Sequence, residues 1–99
     1  MITLQISESI VKDCKEIINK NSLQDIKVFW ADLQTYEYDS PPDWPWIFQK
    51  IYIHSCLKGK KDIADWVKEE FEKNVDPIQI IAYRQTYSYG NYLLQKYKK

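Results

Sequence analysis

Arginine and glycine are nearly missing from this chain. A single arginine, Arg84, stands beside thirteen lysines, and the 99 residues include only two glycines. Arginine is the usual bidentate reader of guanine edges and phosphates, so its scarcity argues against sequence-specific recognition of duplex DNA. Two glycines cannot supply a Gly-rich phosphate cradle. The two cysteines, Cys14 and Cys56, lie far apart and form no CxxC motif. They are too few for a secreted disulfide scaffold and read as core thiols. Net charge is also missing, because fourteen basic and fourteen acidic side chains cancel. That balance argues against a generic binder of polyanions, without excluding a local patch. No basic start followed by an apolar run marks a signal peptide, and no apolar stretch approaches the ~20 residues of a membrane span. An intracellular protein with no membrane partner is expected.

What is present is core material. With 44% hydrophobic and 15% aromatic residues, disorder over most of the length is excluded, and a single domain spanning 1–99 is expected. A chain of this size buries roughly 60–70% of its unfolded surface, enough for a core without disulfides or metal.

The hydrophobic period changes along the chain. Ile2, Leu4 and Ile6 alternate with Thr3 and Gln5, which predicts a strand. Ile10, Val11, Cys14, Ile17 and Ile18 then form one helical stripe, with Ser7 or Ser9 as cap and Glu8 at its positive end. Asn19 and Asn21 suit its end. Residues 25–38 are ambiguous. Ile26, Phe29, Trp30 and Leu33 would share a helix face, yet Val28, Phe29, Trp30, Thr35 and two tyrosines favour a pleated strand, and strand is the reading adopted. Residues 39–46, with Pro41, Pro42 and Pro45, read as a loop. Residues 46–57 read as a second β-rich run, with His54 and Cys56 sharing one face. Gly59 breaks it. From Lys60 the helical period returns with Ile63, Trp66, Val67 and Phe71, and Lys61/Asp65 and Glu69/Lys73 stand at i, i+4. Asn74 and Asp76-Pro77 stop that helix. Residues 78–89 read as a strand, Gly90-Asn91 as a tight turn, and 92–97 as a returning strand or short helix.

The resulting order, strand–helix–strand–strand–helix–strand, predicts an α+β two-layer sandwich. Both helices would pack on one face of an antiparallel sheet, in the ferredoxin-like βαββαβ arrangement. The alternative is an all-α fold of ankyrin-like helical hairpins, suggested by residues 58–67 and by the recurrence of Asp25-Ile26 as Asp62-Ile63 and of Gly59 as Gly90. Against it stand the disagreement of those two offsets and the absence of a TPLH signature.

No residue set nominates itself as an active site. His54, Cys56 and Cys14 would give three metal ligands at most, whereas zinc wants four, or three and water, so a core histidine beside buried thiols is the expectation. No cofactor, metal or enzymatic activity is expected. The individual feature is the proline–tryptophan segment. Trp44 and Trp46, stiffened by Pro42 and Pro45, would present rigid aromatic surface to a protein partner, and Trp is enriched at binding hot spots. The competing expectation is that one or both indoles fold back over the core. On the partner-binding reading, Trp44→Ala weakens association and leaves thermal stability nearly unchanged. The second feature is C-terminal: Tyr83, Arg84, Tyr87, Tyr89, Tyr92, Lys96, Tyr97, Lys98 and Lys99 interleave aromatic and basic side chains, as a single-strand nucleic-acid surface would. A homodimer through an exposed edge strand is a further expectation.

The short chain is rich in Ile, Lys and Tyr and poor in Ala, Arg and Gly, and it closes on YRQTYSYGNYLLQKYKK at residues 83–99. In composition it resembles the small proteins of crenarchaeal filamentous viruses. The resemblance implies a viral accessory protein in the host-cell cytoplasm and a hot habitat. Paired surface charges are compatible with heat stability. It lies in composition alone and carries no site residue across.

Overall fold

The computed structural model describes residues 2–20, 22–73 and 76–97. Among them are six helices and no strand: α1 Ile2–Lys20, α2 Leu23–Leu33, α3 Trp44–Leu57, α4 Lys61–Lys73, α5 Pro77–Ala82 and α6 Arg84–Lys96. The α+β sandwich is therefore overturned, together with its strands at 2–6, 25–38, 46–57 and 78–89. The all-α class of the alternative fits. Without a strand among the described residues, the edge-strand route to a homodimer also lapses.

Helix α1 keeps the predicted stripe and extends it backwards. Ile6 stands four residues before Ile10 and packs on the core, so the helical period runs through the stretch that alternates as a strand would. Ser7 is not a cap. It lies inside α1, fully buried, and its Oγ accepts the Asp43 N–H at 2.9 Å, fixing the entrance to α3. In α2 the helix face wins: Ile26, Trp30 and Leu33 are buried while Val28 faces water. Asp25 begins this helix by accepting from both the N–H and the hydroxyl of Ser22 at 3.3 Å. The expected helix ends at Asn21 and Asn74 lie outside the described residues.

Helix α3 is the centre of the fold and packs against α1, α4 and α6. It buries Ile47, Phe48, Ile51, Tyr52, Ser55 and Cys56. A helix surrounded on three sides is apolar over most of its circumference, so its sequence shows little amphipathic period and imitates a buried strand. Its C-terminus closes in a Schellman motif. Gly59 takes φ 70°, its N–H donates to Cys56 O at 3.0 Å, and the Lys60 N–H donates to Ser55 O at 3.0 Å. The Lys60 ammonium donates to the Ile18 carbonyl near the end of α1. Helix α4 follows and buries Ile63, Val67 and Phe71 of the predicted face, with Ala64 added and Trp66 only half-buried. Lys61 pairs with Asp65 at 2.6 Å as expected, whereas Lys73 pairs with Glu70 at 3.2 Å instead of Glu69.

The C-terminal third departs most from expectation. Pro77 occupies the first turn of α5, where a missing N–H costs nothing, and α6 follows after Tyr83. Gly90 is not a turn residue. It is buried in mid-α6, where a Cβ would lie 2.4 Å from Tyr52 Cε2, so its lack of side chain lets α6 approach α3. Gly59 and Gly90 thus do different work and are not equivalent positions of a repeat.

One core joins these helices. Trp30 is an aromatic junction, 5.2 Å from Trp44, 4.8 Å from Phe48 and 6.3 Å from Trp66 by ring centroids. Contacts of Phe48 with Phe71 and of Phe71 with Tyr83 carry the aromatic run to the start of α6. No helix among the described residues is long and apolar enough to cross a membrane.

Candidate docking face between α1 and α3

The proline–tryptophan segment is a helix start. Asp43 is the N-cap of α3 and accepts the Trp46 N–H at 3.3 Å. Trp44 and Pro45 are the first two helical residues, positions whose N–H groups have no intrahelical acceptor, so proline fits there. Both indoles are half-buried and packed against the core, but they meet different neighbours. Trp44 packs edge-on against Trp30, with the Tyr38 ring 6.2 Å away. Pro42 is buried and Pro45 is exposed.

Trp46 is left half-buried at the surface, where α1 lies alongside α3. Two shallow grooves meet at its ring. One, of about 350 Å³, runs along α1 and is lined by Glu8, Val11, Lys12, Lys15, Glu16 and Asn19, its two lysines balanced by two carboxylates. The other, of about 300 Å³, runs along α3 past Lys50, Ile53, His54 and Leu57, with Lys15 opposite. From Trp46 the outward stripe proceeds to Lys50, Ile53 and Leu57 at i+4, i+7 and i+11, the spacing of one helix face. The Lys50 ammonium lies over the indole, 5.7 Å from its centroid. Leu57 is 41% exposed, a large apolar side chain left without cover at the end of this stripe.

The second groove is lined by cations and no carboxylate. His54 registers the resulting field. Burial first, then Lys15 and Lys58, hold its imidazole below the usual histidine pKa, against the opposing effect of a hydrogen bond to the Lys15 backbone. His54 Nε2 is 2.7 Å from Asn19 Oδ1, a contact that ties α3 to the last turn of α1.

The chain matches no protein-family model, no curated protein and no solved structure in comparisons with each. The face must therefore be read from its own chemistry.

His54 and Cys56, placed on one face by the strand reading, point apart on a helix. Cys56 is fully buried and His54 is half-buried. Burial pushes the Cys14 thiol up to about 12, with Asp13 adding to the effect. Burial likewise pushes Cys56 up to about 11, against a hydrogen bond from Tyr52 that favours the thiolate. Both stay protonated at neutral pH and are poor nucleophiles. Among the described residues, no three His, Cys, Asp or Glu side chains converge as a metal site would need.

The C-terminal candidates divide into half-buried and exposed side chains. Tyr83 and Tyr87 are half-buried against α3 and α4, with Tyr87 5.4 Å from Tyr52 and the Lys68 ammonium 4.8 Å above its ring. Arg84 is exposed at the start of α6, and Tyr89, Tyr92, Lys96 and Tyr97 lie on its outer surface. Lys98 and Lys99 lie outside the described residues.

A larger groove, of about 690 Å³, separates α2 from α4 over Trp30 and Trp66. Trp30 is only 6% exposed, and the rim sets Lys27 and Lys73 against Glu69 and Glu70. It offers no net sign of charge. The residues that sequence reasoning missed are Lys15, Lys50, Ile53 and Leu57. Reading Asp43-Trp44-Pro45 as cap, first and second helical positions would have found the last three by helical spacing.

Proposed function

We propose that the protein is a non-enzymatic protein-interaction module whose α1–α3 face docks an amphipathic, acidic segment of a partner protein. The observation that carries this reading is the position of Trp46. It is a large rigid side chain, fixed by the α3 N-terminus, half-open to water where two grooves meet. Trp46, Ile53 and Leu57 supply apolar contact along one line, and helical partners recognise such lines with i, i+3/i+4, i+7 anchors of their own. Lys15 and Lys50 supply the sign of charge, which favours an acidic rim on the partner and speeds encounter. The compositional resemblance would make the module a viral accessory protein working in a host cell.

A peptide-display selection against the immobilised protein tests the reading. Enriched peptides should carry an apolar helical stripe flanked by Asp or Glu, and should lose affinity about ten-fold or more on Trp46→Ala, a hot-spot effect of at least ~1.4 kcal/mol. Enrichment of peptides indifferent to Trp46→Ala and to Leu57→Lys would contradict it.

A further inference from the structure

Helix α6 presents a second, chemically different surface. Tyr89 and Tyr92 are 52% and 56% exposed, and their rings stack with centroids 6.4 Å apart and planes 19° apart. One turn on, the Lys96 ammonium lies 5.9 Å from the Tyr92 centroid and 5.4 Å from that of Tyr97, itself 41% exposed. The result is a row of exposed tyrosines with a cation over the last two, on the flank of α6 beside the buried Gly90 and Leu93. The neutral total conceals a polarity along the chain. Residues 77–99 contain Arg84, Lys96, Lys98 and Lys99 and no carboxylate, a charge of +4, while residues 1–76, with ten lysines and fourteen acidic residues, hold −4. Five of the eight tyrosines fall in the same acid-free stretch.

We propose that this face of α6 binds single-stranded nucleic acid. Bases stack on Tyr89 and Tyr92, and Lys96 neutralises a phosphate that follows. Stacking is what distinguishes this ligand from other polyanions. An acidic protein surface would use the lysines but has no need of open, parallel rings, and a duplex keeps its base faces covered. The near absence of arginine fits the same ligand, because stacking on tyrosine reads no base edge and imposes little sequence preference.

Fluorescence anisotropy of a labelled oligothymidine titrated with the full chain tests the proposal. Affinity should fall as salt rises, and Lys96→Gln should flatten the slope of log K against log salt by about 0.7, the value for one phosphate contact on a single strand. Tyr89→Ser and Tyr92→Ser should each weaken binding about 5- to 150-fold at constant salt, the range for one lost base stack. Both side chains are more than half exposed, so thermal melts of these variants should match the parent and exclude misfolding as the cause. Tyr92→Ser should also leave the Trp46-dependent peptides bound, which separates this face from the α1–α3 face. The proposal is overturned by any of three results: no oligothymidine binding at low salt, equal affinity for blunt duplex with tyrosine variants unaffected, or binding confined to phosphatidylserine vesicles.

Discussion

Gly90 supplies the most quantitative test of the helix packing, because two known effects act there with opposite sign. In an isolated helix, Gly90→Ala would stabilise by about 1 kcal/mol, since glycine in a helix interior costs that much in backbone entropy. In this fold the new methyl would stand 2.4, 2.7 and 2.8 Å from Tyr52 Cε2, Oη and Cζ. Tyr52 has little room to retreat. It is 5% exposed, with the Tyr87 ring 5.4 Å away. Overpacking of this kind costs about 1–3 kcal/mol, and the short distances place the cost in the upper half of that range. The net expectation is a destabilisation of about 1–2 kcal/mol, read as a fall in Tm of roughly 4–16 °C for a domain of this length. A double-mutant cycle removes the ambiguity. In a Tyr52→Ala background the methyl meets no ring, so Gly90→Ala should turn stabilising by up to about 1 kcal/mol. Thermal and urea unfolding of the four proteins measures the cycle. If Gly90→Ala raises Tm in the parent, or costs the same in both backgrounds, α6 does not lie on Tyr52 as described.

Three further perturbations test other parts of the account. Cys14 and Cys56 are raised from 9.0 to about 12 and about 11, so their contribution is fully present below pH 9 and is lost as pH rises through the folded values. Stability should fall by up to about 1.4 kcal/mol per pH unit per thiol from pH 9 towards pH 11, with Cys14→Ala flattening the slope; urea midpoints constant between pH 8 and 10 would refute the burial of these thiols. Trp44→Ala should cost more in urea unfolding than Trp46→Ala by about 1 kcal/mol, because Trp44 alone of the two half-buried indoles packs on the rings of Trp30 and Tyr38; equal losses would show that those ring contacts add nothing. The Tyr87 hydroxyl is buried without a hydrogen-bond partner among the described residues, so Tyr87→Phe should be neutral or stabilising by up to about 1 kcal/mol, and a clear drop in Tm would reveal a partner for that hydroxyl.

The parts of this fold legible in sequence are those with one wet face. In α1 and α4 the charged residues alternate with apolar ones at helical spacing, so Ile10, Val11, Cys14 and Ile18, and likewise Ile63, Val67 and Phe71, announce both the helix and its buried side. Helix α3 hides its period because three neighbours cover it. Its Ile, Tyr and Phe are the residues that also favour strands, and burial from several sides overrides that preference. In α6 the tyrosines and Thr86 mislead for the same reason. There a glycine that suits a turn instead serves close helix contact. Pro45 reads as a loop marker until Asp43 is recognised as a cap, when it becomes a marker of the helix start. The candidate site was half legible. The tryptophan segment stood out, but which neighbours each indole meets depends on the 100° step between successive helical residues and on where the helix begins. The acid-free C-terminal stretch was masked by a total charge of zero.

The central claim is that the surface of this protein used for docking is centred on Trp46. Its most direct test is a two-dimensional NMR titration of the labelled chain with a peptide enriched by the selection described above. The account predicts that the Trp46 indole N–H and the amides of Lys15, Lys50, Ile53 and Leu57 shift together and saturate at one affinity, while α6 stays unmoved. Shifts confined to the α2–α4 groove or to Tyr89 and Tyr92, with the Trp46 indole unchanged, would contradict it.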